Sequence, residues 1–271
     1  MVRTISQEVG YTIRRKKQVK VPTVEEIKNC FIDLDLNVNI IVRGNNSPTA
    51  ITNELLEYFE YRADVLNNFV EPRLLNAEDA RNTFNGLYDQ LQPKCPIPMN
   101  KQKGDKKSPA YLTGIINMII ESKIDDMECD YDPKELTTIT RNGVPIRTLA
   151  RRLDGAFPSP INPVAVWEIK EYYYTTTFGS RVADGVYETL LDGMEIEELS
   201  EHEKIDVLHY LMIDSHFTWW ECGCSYLCRI IDMLHMGYVD EVLFGLEVIE
   251  KLPDIVSEWV EIVTCPPIIS P

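Results

Sequence analysis

No apolar run in this chain reaches the ~18 residues that a membrane-spanning helix requires. Met1 to Lys20 lacks an apolar stretch and carries Arg14-Arg15-Lys16-Lys17, which argues against a secretory signal. Histidine is scarce: four residues, too scattered to build a nucleophile–base triad. Cysteine is present seven times, an odd number spread along a long chain. That pattern fits reduced thiols in a cytoplasm better than a disulfide framework. No internal repeat is present. Basic residues are scarce in one region only. Residues 182–271 hold 3 Lys and Arg against 19 Asp and Glu.

What is there suits a large α/β protein. A chain of 271 residues can bury a sizeable core, as one large domain or as one domain with an appended layer. Residues 1–181 carry 24 basic and 24 acidic groups, so the whole net charge of −16 lies in the C-terminal third. Between Lys134 and Arg181, seven basic groups face four acidic ones. A surface built from that stretch would be positive enough to meet a phosphate backbone. The acidic C-terminal layer serves either solubility or the docking of a partner.

Apolar spacing predicts a short strand at Val38–Val42. A helix capped by Thr49 or Thr52 follows, running towards Phe69, with another from Asn76 to Leu91. Pro93 to Pro109 reads as a loop with a lysine-rich centre. A helix from about Ser108 to Lys123 takes Ser108 as its cap and Pro109 in its first turn. The period then changes. Leu136–Leu149 reads as a β-hairpin turning at Asn142-Gly143, with its second arm continuing towards Phe157. Val164–Tyr174 is a β-rich run. A helix is expected from Ser180 to Leu191, ending at Gly193, then a strand over Ile205–Ile213. A long helix or helical pair is expected from Glu221 towards Val260, interrupted near Gly237 and Pro253. The order is that of a three-layer α/β core around a mixed sheet. The expected division is a mainly helical region over 1–107 and a core with an acidic helical layer over 108–271.

Two charged strand ends carry the chemistry. Arg151-Arg152-Leu153-Asp154 precedes Gly-Ala-Phe, and Val-Ala-Val-Trp precedes Glu168-Ile169-Lys170. Side chains two apart on a strand share a face, so Glu168 and Lys170 point the same way. Asp154, Glu168 and the Ile169 carbonyl can hold Mg²⁺, or Mn²⁺, a cation that favours few carboxylates and several waters. Lys170 can then reach a water or a phosphate. A partly desolvated lysine beside a cation has its pKa lowered, which would suit it to water activation.

At these residues the chain resembles the PD-(D/E)XK nuclease superfamily, the fold of many restriction endonucleases. Asp154 matches its aspartate and Glu168-Ile169-Lys170 its acid-x-lysine, over a resemblance spanning about residues 108–215. Leu153 stands where the motif has proline. The resemblance implies a restriction-endonuclease-like αβββαβ core, with N-terminal helices and a C-terminal helical layer added. It also implies Mg²⁺-dependent cleavage of DNA, with Asp154, Glu168 and Lys170 catalytic. Many members take a further acid from the helix before the hairpin, for which Glu121 is the candidate, against a simply solvated glutamate. The exonuclease-like branch places a Gln before a Tyr in the next helix, with three residues between them. Here Ala183 precedes Tyr187, which points to an endonuclease.

The helix N-terminus after the Glu-x-Lys strand, with Ser180 and Arg181, offers N–H groups and a positive dipole end to phosphate. Arg151 and Arg152 are further candidate DNA contacts. Cys222, Cys224 and Cys228 lack paired-knuckle spacing and read as free thiols rather than a zinc site. Trp219-Trp220 reads as core before it reads as a base-stacking pair. The expected function is therefore a cytoplasmic endonuclease of restriction or anti-phage type, acting as a homodimer or with a partner subunit, and without a membrane. The alternative is a catalytically inactive nuclease-like assembly subunit that docks a DNA-binding or helicase partner through its acidic layer.

Overall fold

The computed structural model describes residues 1–13, 16–100 and 108–265. Arg14-Arg15, the lysine-rich 101–107 segment, the 266–271 tail and the Arg181 side chain lie outside the described residues. The chain divides into two compact units, Met1–Pro72 with Trp219–Ile231, and Arg73–Thr218 with Asp232–Pro271.

The first unit holds α1 (Val2–Val9), a small ladder of β1 (Thr12–Ile13) and β2 (Gln18–Val19), α2 (Val24–Asp33) and α3 (Ala50–Asp64). Thr23 and Glu26 form a reciprocal capping box that starts α2. The hydroxyl of Thr49 accepts from the Thr52 N–H and starts α3. Val38–Val42 is not a strand. Val38–Ile40 is a 3-10 turn, begun by the Asn37 side chain, which accepts from the Asn39 N–H. The Thr49 and Thr52 hydroxyls then take the carbonyls of Ile40 and Ile41, acceptors that a strand would have offered to a neighbour. Ile5, Ile27, Phe31, Ile41 and Phe59 form the core. Trp219, Trp220, Cys224 and Cys228 are buried, so the tryptophans are core residues.

The second unit begins with α4 (Ala77–Leu91), capped by Asn76, and α5 (Tyr111–Glu121). Ser108 does not cap α5. Pro109 bridges to Met99 in extended backbone and the helix starts two residues later, at Tyr111, after an N-cap Ala110 whose methyl cannot accept a hydrogen bond. β3 (Thr138–Arg141) and β4 (Val144–Thr148) form the expected hairpin, but as a separate two-stranded sheet. The central sheet has the order β5 (Gly155–Phe157), β6 (Ala165–Glu171), β7 (Leu208–Asp214), β8 (Glu241–Phe244). β5 runs antiparallel to β6, and the other pairs are parallel. The sheet is thus mixed, with helices on both sides.

Three helices complete the chain: α6 (Ser180–Glu203), α7 (Cys224–His235) and α8 (Glu247–Thr264). α6 does not stop at Gly193 but runs through it to Glu203. The stretch from Glu221 is a helical pair interrupted after His235, near Gly237, but the interruption holds a strand, β8, whose Val242, Leu243 and Phe244 are buried, and Pro253 lies inside α8 without ending it. On one face of the sheet, Phe157, Ala165, Trp167, Tyr210 and Met212 pack against α5 and α8. Trp167 stacks on Trp259 with ring centroids 5.6 Å apart. On the other face, Ala156 and Val166 pack against Ile196 and Leu199 of α6.

Candidate active site

Alternation along β6 decides which charges meet. Trp167 faces α5 and α8, so Glu168 and Lys170 face the α6 side. Glu168 is fully buried and Lys170 nearly so. The register Gly155↔Trp167, carried one residue outward, sets Asp154 opposite Glu168. The Asp154 N–H donates to the Trp167 carbonyl at 3.1 Å, and Asp154 Oδ2 accepts from the Ile169 N–H at 2.8 Å. Its other oxygen takes no hydrogen bond from the described residues, and the residue is exposed at the rim.

Around Glu168 the cations are already seated. Lys170 Nζ donates to Glu168 Oε2, and Arg151 donates to Glu168 Oε1 at 2.8 Å. Arg151 also donates to Asp192 Oδ2 at 2.5 Å and to Glu188 Oε2 at 3.4 Å. Glu188 lies 3.8 Å from Lys170 Nζ. Glu188 and Asp192 are four residues apart on α6 and so share a helix face. One turn earlier, Gly185 lets the lysine stem pass beneath the helix: a Cβ there would lie 3.2 Å from Lys170 Cε.

Four carboxylates thus face two cations, and the titration of each group follows. Burial pushes Glu168 up, but Lys170 and Arg151 outweigh it and hold it below the usual carboxylate range. Burial alone would lower Lys170, yet Glu168 and Asp154 keep it above its ordinary value. The lowered lysine pKa expected for water activation is therefore absent with Glu168 as its partner, and Lys170 is a firm ammonium. Arg151 is held likewise, burial being outweighed by Glu168 and Asp192. Asp192 is raised to about 7, chiefly by burial, with the Glu168 charge adding to it. Crowding by protein and the Glu168 charge raise Asp154 too. Water at its open face limits that rise.

Behind this cluster lies His209, buried on β7. Its Nδ1–H donates to the Tyr238 carbonyl at 2.9 Å, since a carbonyl can only accept, and burial keeps the ring neutral. Nε2 is left as a buried acceptor with no partner among the described residues.

The remaining candidates separate clearly. Arg151 is turned inward onto three carboxylates rather than outward to a phosphate. Arg152 is exposed. Ser180 is exposed in the first turn of α6, where the N-cap Gly179 leaves the first N–H groups without a side-chain acceptor. Glu121 ends α5 on the opposite face of the sheet, and both its oxygens accept from the Lys94 N–H, at 2.9 and 3.2 Å. It does not join Glu168. Asp192, Glu188 and Gly185 escape a strand-end motif because they lie on the following helix. Their spacing of three to four residues is the signal that could have found them.

The donors near Glu168 are carboxylate oxygens, the chemistry of a hard cation. Among the described residues no group of three or more His, Cys, Asp and Glu side chains is arranged to hold a metal ion. A site of two carboxylates completed by water and phosphate does not need three. With Asp154, Glu168, Glu188 and Asp192 ionised against Arg151 and Lys170, the local excess of two negative charges is one that a divalent cation could neutralise.

Residues 1–69 match DUF7690, a domain of unknown function. No curated protein and no solved structure matches the chain. Residues 75–259, which include Arg151, Asp154, Glu168, Lys170, Glu188 and Asp192, match the domain of unknown function DUF7687, and over that span, more than half its length, the chain belongs to the DUF7687 family.

Proposed function

We propose that this chain is a Mg²⁺-dependent endonuclease of PD-(D/E)XK type that hydrolyses phosphodiester bonds in DNA, in a restriction or anti-phage role, as a homodimer or with a partner subunit. One observation carries this: Asp154, Glu168 and Lys170 converge on one face of one sheet, directly before a helix with an uncapped N-terminus. Charged groups clustered and desolvated in this way are more common at functional sites than elsewhere. Asp154, through its uncommitted oxygen, and Glu168 beneath it are the residues that would hold Mg²⁺ or Mn²⁺. Such a cation, when bound, acidifies water and neutralises phosphate charge. Lys170 keeps its proton at Nζ, so its part is to balance charge on the phosphate oxygens or to protonate the leaving oxygen. Ser180 and the first N–H groups of α6 orient a phosphate.

Incubation with supercoiled plasmid, linear duplex and single strands, with and without Mg²⁺, tests this. Cleavage is expected with Mg²⁺ only, and Asp154→Ala, Glu168→Ala and Lys170→Ala should each reduce it by roughly 10²-fold or more while keeping the native circular dichroism spectrum. Absence of cleavage on every substrate with Mg²⁺ and Mn²⁺ would count against it.

A second reading is favoured by the saturation of Glu168, whose two oxygens are already held by Arg151 and Lys170. On that reading the chain is a catalytically inactive subunit that docks a DNA-binding or helicase partner through its acidic layer. Full biological activity and an intact complex in Lys170→Ala would support it.

A further inference from the structure

Arg151 divides its guanidinium. One terminal nitrogen serves both Glu168 Oε1 at 2.8 Å and Asp192 Oδ2 at 2.5 Å, while the other reaches Glu168 Oε2 and Glu188 Oε2, each at 3.4 Å. Asp192 is fully buried, and its second oxygen, Oδ1, has no hydrogen-bond partner among the described residues. A buried acceptor left unused beside a guanidinium is costly and calls for an explanation. The planar fork of arginine matches both oxygens of one carboxylate side by side. Asp192 therefore holds in reserve the acceptor that Arg151 needs once it gives up Glu168.

We propose that Arg151 is a displaceable counter-ion. A divalent cation takes Glu168 from it, and Asp192 is the positioning residue that receives the released guanidinium. This rests on reading Glu168 as a cation ligand. Asp192 acts through Arg151 and does not itself touch the cation. Without Asp192, Arg151 has Glu168 as its main partner and competes with the cation. Without Arg151, Glu168 Oε1 is open while Lys170 stays on Oε2, and Asp192 no longer acts through the guanidinium.

Calorimetric titration of the full chain with Mn²⁺ alone, beside the Mn²⁺-induced shift in thermal midpoint, tests the relay without any substrate. Asp192→Asn should weaken Mn²⁺ binding by about tenfold, the factor that corresponds to one charge-assisted hydrogen bond. Arg151→Gln should strengthen it by a similar factor. In the Arg151→Gln background, adding Asp192→Asn should change nothing, because coupled residues are not additive. If Asp192→Asn still weakens binding in that background, Asp192 is itself a ligand and the relay is wrong. Should Asp192→Asn fail to fold, Arg151→Gln decides: unchanged or weaker Mn²⁺ binding overturns the proposal. Binding that is lost in Glu168→Gln but indifferent to Asp192 and Arg151 overturns the relay and leaves the cation site standing. No Mn²⁺ binding by the parent overturns both.

Discussion

Glu171 and Asp214 are register partners at the ends of β6 and β7, on the sheet face opposite Glu168. Glu171 accepts from the N–H and hydroxyl of Thr113 at the start of α5. Asp214 accepts from the Tyr173 hydroxyl at 2.6 Å and from the N–H groups of Leu75 and Ser215. Burial pushes both carboxyls up to about 7, from ordinary values of 4.5 and 3.8. Each keeps its proton in the folded chain where the unfolded chain has lost it. Their contribution to stability is therefore complete below about pH 4 and is lost as the pH rises towards 7. Asp214→Asn keeps an acceptor for the two N–H groups and cannot ionise. It should shrink the fall in unfolding free energy between about pH 4.5 and 7.5, read from urea midpoints. An unchanged or steeper fall would refute the assignment. Neither role was legible in the sequence, because a carboxylate's partners here come from α5, Leu75 and Tyr173, all distant along the chain or set by how it turns.

At the scale of elements, periodicity located most helices and strands, and the errors have a common cause. Gly193 looks like a helix stop, yet it lies inside α6 because the Tyr238 carbonyl packs on it: a Cβ would sit 2.1 Å from that oxygen. Gly193→Ala is expected to cost about 1–3 kcal/mol through overpacking, despite the better helix propensity of alanine. Urea unfolding measures it, and a stabilised variant would show that the contact yields. Ser108 looks like the cap of α5, but the capping oxygen comes from Glu171 on β6, far along the chain. The four apolar-rich residues of β8 carry no period of their own, so spacing merges them with the helices around them, and parallel pairing with β7 settles their conformation.

Over the whole molecule, the net charge of −16 bears on nucleic acid. The basic groups that read as a positive surface are mostly spent on acids. Lys134 pairs with Asp132, Arg141 with Glu203, Arg147 with Glu198, and Arg151 and Lys170 with the site carboxylates. Few phosphates can then be neutralised, and the salt dependence of DNA binding should be shallow. With Ca²⁺ in place of Mg²⁺, affinity by fluorescence anisotropy should fall by no more than about tenfold from about 50 to 200 mM salt. A fall near 10³-fold would require a basic surface that the described residues do not offer. No helix among the described residues is long and apolar enough to cross a membrane.

The sequence by itself determined the mixed α/β character, the strand that delivers Glu168 and Lys170 to one face, and the aspartate that meets them. Strand alternation and local apolar patterning are properties of neighbours, so a linear reading contains them. The tertiary structure alone decided that Arg151 turns inward, that Asp192 and Glu188 close over Glu168, and that Lys170 stays protonated. Those outcomes depend on α6 folding back over β6, which brings together charges up to 41 residues apart and removes the water between them.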